Sequence, residues 1–218
     1  MKIILTGATG MVGEGVLLEC LANPAVEEVL SVSRRPSGHR HPKLYELLVP
    51  DFFALDAIKD ELKGHDACFF CAGVSSLGMN EADYAHFTFD LTLHFARTLA
   101  PLNPGMTFIY VSGALTDSTE TGRTMWARVK GRTENALLQA GFAHVYNFRP
   151  GFMKPTPGQR HVLAAYKFLG WLYPLVHALA PNRVSTLRQV GLAMIRAVQH
   201  GYPTPILEIK DINALAAA

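Results

Sequence analysis

A chain of 218 residues is short for two independent domains and fits one domain with a small appendage. The formal net charge is +2, and no basic run is longer than Ser33-Arg34-Arg35, which argues against nucleic acid as a partner and against a strongly charged membrane surface. The 3 cysteines form no disulfide framework and the N-terminus turns into glycines too early for a secretory leader, so the expected location is the cytoplasm.

Strand and helix patterns alternate from the first residues. Lys2–Thr6 is a short apolar strand, and Met11–Ala22 follows a helical period through Met11, Val12, Val16, Leu18 and Leu21 before Asn23-Pro24 stops it. Glu28–Ser33 and Leu44–Val49 read as the next strands, and Ala54–Lys63 as a helix ended by Gly64. Ala67–Cys71 is a continuous apolar run, as expected of a parallel strand buried on both faces. Glu81–Ala100 reads as a long helix closed by Pro101 and Pro104. Thr107–Ser112 is a strand, Met125–Ala140 a helix, and His144–Phe148 a strand broken off by Pro150-Gly151.

Beyond Gly151 the pattern loosens into helical stretches at about Leu163–Leu179 and Leu187–Gln199 and a short apolar segment, Pro205–Ile209. Strands separated by helices of this length predict an α/β fold: a doubly wound parallel sheet of Rossmann type. It spans one domain over 1–218, of which about 152–218 forms a small C-terminal cap on the substrate side. Val162–Ala180 is strongly apolar, but Gly170 and Pro174 interrupt it and Lys167 would sit mid-span, so a buried or dimer-contacting helical pair is expected rather than a membrane span.

The loop Gly7-Ala8-Thr9-Gly10-Met11-Val12-Gly13 joins the first strand to the first helix. Gly7 permits the tight turn, Gly10 lets backbone approach a pyrophosphate, and Gly13 lets helix pack on strand, while the helix N-terminus offers N–H groups. Coming after a strand and opening a helix, the spacing marks a dinucleotide site at Gly7, Thr9, Gly10, Met11, Val12 and Gly13. The second strand ends in Val32-Ser33-Arg34-Arg35-Pro36, with no acid to bind ribose hydroxyls. Arg34 and Arg35 suit a 2′-phosphate, so NADP(H) is expected over NAD(H).

Cys68-Phe-Phe-Cys71 has the spacing of a redox or zinc pair, but strand residues three apart face opposite ways and no second pair exists, so buried thiols are expected. His86, Asp90 and His94 recur every four residues on one helix. Buried or interface polar groups are the expected reading there, and no metal.

These motifs resemble the short-chain dehydrogenase/reductase superfamily, in its extended and atypical NAD(P)-dependent epimerase/dehydratase-like branch. Thr6-Gly7-Ala8-Thr9-Gly10-x-x-Gly13, Phe148-Arg149-Pro150-Gly151 and the segment from Met125 to Gly131 are most similar to the Tat-interacting-protein-like oxidoreductases. The resemblance implies that Asp51 and Phe52 flank the adenine and that Cys71, Ala72 and Gly73 run under the adenosine ribose and pyrophosphate. It also implies that Pro150 and Gly151 border the nicotinamide.

Such enzymes use Tyr-x-x-x-Lys on one helix face, where the ammonium lowers the tyrosine pKa and binds the nicotinamide ribose. Here Lys130 is kept and Trp126 stands in the tyrosine place; Ser112 is the candidate strand-end serine, and Asp90 stands in the helical asparagine place. Tyr110, Asp117, Glu120 and Ser75 are conceivable replacement acids or bases. Three readings follow. The first is an NADP-dependent oxidoreductase on an unknown carbonyl or alcohol, with Ser112, Lys130 and Trp126 at its centre. The second is a dinucleotide-binding sensor or interaction protein without turnover. The third is a nucleotide-sugar epimerase or dehydratase. The expected partner is a small molecule, and the expected assembly a monomer or homodimer.

Overall fold

The computed structural model describes residues 1–162 and 183–218. Its strands are Lys2–Thr6 (β1), Glu28–Ser33 (β2), Leu44–Leu48 (β3), Ala67–Phe70 (β4), Thr107–Val111 (β5), His144–Phe148 (β6), Phe152–Lys154 (β7), Val184–Thr186 (β8) and Ile206–Leu207 (β9). Seven of them form one sheet in the order β3-β2-β1-β4-β5-β6-β9, and every neighbouring pair is parallel. Strand order reverses at β1, so the crevice between β1 and β4 is the switch point where such sheets bind ligands. β7 and β8 pair separately.

Residues alternate between the two faces because each strand has a period of two. Ile3, Leu5, Phe69, Ile109 and Phe148 point to one side, into a core shared with helices Met11–Ala22 (α1), Leu187–His200 (α4) and Ile209–Ala217 (α5). Ile4, Val32, Cys68, Phe70 and Tyr110 point to the other, where α2 (residues 81–102) and α3 (Met125–Leu137) lie. Cys68 and Cys71 fall on opposite sides as expected, and all three thiols are free. Of the cap expected over 152–218, the described part supplies α4 and α5 to the layer that also holds α1. The apolar stretch expected at Leu163–Leu179 lies outside the described residues.

Two elements differ from expectation. The helix expected at Ala54–Lys63 is only a short turn at Asp56–Ile58 followed by further turns. Leu55 and Leu62 are its only fully buried side chains, and the pairs Asp56–Lys59 and Asp60–Lys63 are three residues apart, the spacing that eclipses in tight 3₁₀ geometry. α2 runs through Pro101 and stops at Asn103, whose side chain accepts from His65 N–H at 3.1 Å and donates to Leu62 C=O at 2.8 Å. Within α2 a π turn covers His86–Asp90, with Leu91 N–H bonded back to His86 C=O. A proline near the last turn removes one N–H and leaves most of the helix intact.

Candidate dinucleotide and active site

The glycine loop is built as the spacing predicts. Gly7 has φ +75°, and a Cβ there would lie 2.6 Å from the Cys71 carbonyl. A Cβ at Gly13 would overlap the Gly7 carbonyl outright. These two positions clamp α1, the end of β1 and the end of β4 together, with Ala72 N–H donating to Thr6 Oγ1 at 3.1 Å. Gly10 begins α1 without any side-chain cap, so the first-turn N–H groups at Met11, Val12 and Gly13 are presented to an incoming anion. Gly10 is exposed and Thr9 and Val12 are half-buried, whereas the Met11 side chain is buried and offers only its backbone. A Cβ at Gly10 would meet only the Gly7 carbonyl oxygen, at 3.4 Å. This cradle and its N–H donors fit a pyrophosphate.

Past β2, Arg34 and Arg35 are exposed, and their turn is fixed by Ser33 Oγ donating to Arg35 C=O at 2.7 Å and by Ser37 N–H donating to Glu46 at 2.7 Å. Sequence reasoning missed Glu14, one residue beyond the glycine loop. Its side chain is fully buried, a costly place for a carboxylate unless it is satisfied. It accepts from Arg160 N–H at 2.8 Å, from His161 N–H at 2.7 Å and from His39 Nε2 at 2.8 Å. Burial alone would raise its pKa; the N–H bonds from Arg160 and His161 outweigh that and hold it below the usual value.

Across the sheet, α3 carries Trp126 in its first turn and Lys130 one turn later, on the same face. Trp126 is half-buried. The Lys130 ammonium donates to Ser112 C=O at 3.2 Å and approaches Val111 C=O at 3.4 Å, with the Tyr110 ring 5.3 Å away. Burial pulls its pKa down to about 8, against a smaller upward pull from Glu134. Gly131 lets the helix come this close, since a Cβ there would overlap the Asp117 carbonyl.

Ser112 is buried and bonded to Thr116 Oγ1 at 2.9 Å, while Thr116 donates its own proton to Gly113 C=O at 2.8 Å. Ser112 therefore donates its proton to Thr116 and has none left to offer a ligand. Arg149 of the Phe-Arg-Pro-Gly motif anchors α3 from behind. It binds fully buried Glu134 through Nε at 3.0 Å and Nη2 at 2.5 Å, and reaches Glu208 at 3.1 Å. Pro150 C=O accepts from Ala114 N–H at 3.0 Å, so the Pro150-Gly151 turn borders the Ser112 loop.

Other candidates fall elsewhere. Phe52 turns into the core against Phe95 at 5.7 Å, which leaves exposed Asp51 as the member of that pair open to a ligand. Asp51 itself accepts from Phe53 N–H at 2.9 Å. Tyr110 is buried, and burial pushes its phenol far above the usual range. Asp117 and Glu120 fold their own loop, binding Thr119, Gly122 and Asn135. Ser75 accepts from Leu77 N–H and is exposed. Asp90 faces outward beside His86 at 3.6 Å, and the inward places are taken by Thr88 and Thr92. His86 stacks on Phe53 at 4.9 Å and His94 tilts against it at 5.5 Å. Among the described residues, no three His, Cys, Asp or Glu side chains converge on a point.

The pattern of the NAD dependent epimerase/dehydratase family matches residues 3–119, more than half of the 218 residues. The chain belongs to that family. This epimerase/dehydratase-family chain is 30% identical over 143 residues to leucinostatins biosynthesis cluster protein T of Purpureocillium lilacinum, over 64% of this chain and 52% of that protein. It thus spans about half the length of that relative. It is 27% identical to protein fmp52-1, mitochondrial, of Aspergillus terreus, over 81% of this chain and 78% of the relative. The fold resembles a UDP-glucuronic acid 4-epimerase of Bacillus cereus in complex with NAD, with a TM-score of 0.69 at 13% identity, covering 98% of this chain and 81% of that one.

The expected cytoplasmic location is overturned by the fmp52 relatives, which include those of Emericella nidulans and Aspergillus fumigatus and are named as mitochondrial. Free thiols persist in any reducing compartment, so cysteine content does not separate one such compartment from another. Among the described residues, no helix is long and apolar enough to cross a membrane.

Proposed function

We propose that this chain is an NADP(H)-dependent oxidoreductase acting on a carbonyl compound or the corresponding alcohol. The observation that carries the reading is Lys130, an ammonium held at the end of β5 with its pKa brought to about 8. When bound, a dihydronicotinamide supplies a hydride to a carbonyl carbon. The Lys130 ammonium supplies the proton to the carbonyl oxygen, a task suited to a group that titrates near the working pH. Solvent reprotonates the amine. Trp126 lends an N–H donor one turn away but exchanges no proton at neutral pH. The first-turn N–H groups of α1 hold the pyrophosphate, and Asp51 sits where the adenine ends.

The test is single-turnover oxidation of NADPH against a panel of aldehydes and ketones. Absence of oxidation with every member, while NADPH still binds, defeats the reading. The outcome then favours a dinucleotide-binding sensor, which the Ser112–Thr116 bond and the indole at position 126 support. A nucleotide-sugar epimerase reading has the weaker support, since it relies on the tyrosine that Trp126 replaces.

Two variants sharpen the test. NADPH is expected to bind at least tenfold tighter than NADH, a difference of about 1.4 kcal/mol. Arg34→Ala with Arg35→Ala is expected to erase it, because their guanidiniums have no partner among the described residues. Equal binding of both cofactors by the unchanged protein would defeat the NADP(H) assignment. Trp126→Tyr is expected to raise turnover by on the order of tenfold or more, by placing a phenol beside the Lys130 ammonium. No gain with any accepted carbonyl would mean that the proton already reaches the substrate without a phenol.

A further inference from the structure

The stretch Pro155–His161 crosses the start of α1 and is tied there at several points. Gln159 Nε2 donates to Met11 C=O at 2.7 Å, and Arg160 and His161 donate their backbone N–H groups to buried Glu14. Glu14 also takes His39 Nε2, from the loop that follows Arg34 and Arg35. Arg160 Nη1 then donates to Gly38 C=O at 2.7 Å, four residues beyond Arg34. One buried carboxylate thus binds three segments: the helix that opens the glycine loop, the loop after β2, and the stretch carrying Arg160. Burying an acid at the start of a phosphate-binding helix makes sense only if something must be held there.

What is held is the backbone of the segment that carries Arg160. Arg160 is exposed, and its one bond to Gly38 leaves most of the guanidinium donors open. Gly38 has φ +78° and no side chain, and a Cβ there would come 2.7 Å from Arg160 Nη1. Arg160 is therefore held against the loop that follows Arg34 and Arg35, whereas the acids nearby are committed: Glu14 to the bonds above and Glu46 to Ser37 N–H.

We infer that Arg160 belongs to the dinucleotide site, joining Arg34 and Arg35 on the phosphate of the adenosine 2′-position, with Glu14 as the positioning residue. This rests on the NADP(H) reading. It assigns a cofactor contact to a segment far in sequence from the glycine loop, and it makes selectivity depend on Glu14, which touches no phosphate itself.

The test is titration of NADPH, NADH, adenosine 2′,5′-bisphosphate and ADP against the unchanged protein and four variants, beside the Arg34→Ala, Arg35→Ala variant described above. Arg160→Ala is expected to weaken NADPH and adenosine 2′,5′-bisphosphate about tenfold, with NADH and ADP changed by less than about twofold. Arg160→Lys should recover part of the loss, since a point charge remains but the fork does not. Glu14→Gln should weaken NADPH in the same selective way, and adding it to Arg160→Ala should cost NADPH affinity nothing further, because both act through one contact. Equal losses for NADPH and NADH, or none, overturn the inference. Additive losses in the double variant overturn the positioning role of Glu14. If the unchanged protein shows no NADPH preference and Arg34 and Arg35 are silent, the cofactor reading itself fails. If that preference exists and only Arg160 is silent, this inference alone fails.

Discussion

Lys130→Ala is expected to slow single-turnover reduction by on the order of a hundredfold more than it weakens NADPH binding. The two losses separate because the ammonium has two tasks, and only proton delivery is confined to the transition state. In the unchanged protein the rate of reduction should fall as pH rises through about 8, where the ammonium loses its proton. Lys130→Arg should abolish that fall, since a guanidinium keeps its proton throughout.

Stability carries the same signature with a definite sign. The folded-state value lies below the ordinary 10.5, so between these limits the unfolded chain binds the proton that the folded chain has released. Stability should therefore rise with pH through that window, and Lys130→Met should remove the rise. The paired measurement is cofactor titration by thermal shift, whose stabilisation follows RT ln(1 + [L]/Kd), beside stopped-flow oxidation of NADPH. Equal losses in binding and turnover would reduce Lys130 to a ribose contact.

Arg149→Met is expected to destabilise the protein by about 3–5 kcal/mol, measured as a lower urea midpoint. Glu134 is fully buried, and removal of the guanidinium strands its charge between α3 and β6. That is a large part of a typical total of about 5–15 kcal/mol. Restoring neutrality with Glu134→Leu in the same chain should recover much of the loss. The site should register the change too. Glu134 lies one turn beyond Lys130 and already raises its pKa; without Arg149 beside it the carboxylate should raise it further. The fall in rate would then move to higher pH. A loss below about 1 kcal/mol, the worth of an exposed pair, would mean that water replaces the guanidinium.

Much of the fold was legible because it rests on runs that only one structure satisfies. Lys2–Thr6, Met11–Ala22, Glu28–Ser33 and His144–Phe148 stand at the bounds their patterns predict. Each is an apolar run or a helical period cut by Gly, Pro or Asn. The glycine loop was legible for the same reason, since Gly7 and Gly13 meet backbone that would reject any other residue.

Interactions between distant segments were not legible. Nothing near Glu14 in sequence announces partners at His39, Arg160 and His161, and Glu134 looks like any helix acid until Arg149 is beside it. Phe52 and Phe53 are adjacent aromatics, and only the packing of Phe95 decides which ring turns inward. The two-residue strand β9 and helix α5 were hidden in a short apolar tail. Their anchors are the ladder to β6 and the reciprocal bonds between Glu208 and Asp211.

The π turn in α2 has a consequence for how this helix meets the sheet. Tyr84, Thr88, Thr92, Ala96 and Ala100 are all buried and recur every four residues. An unbroken α-helix turns every 3.6 residues, so such a row would swing off the sheet by about 0.4 residue per turn. The wider π turn takes up about one residue and brings the row back, as a vernier reconciles two scales. One extra residue is thus absorbed without unwinding the helix. Removing one residue between His86 and Asp90 should leave an uninterrupted helix whose later half, including Phe95 and Leu99, keeps its buried face, whereas forcing all the residues into α geometry would rotate that half by about 100°. An alignment of this helix with a relative that lacks the turn needs a single gap at that place, and Asp90 then has no counterpart on the inner face.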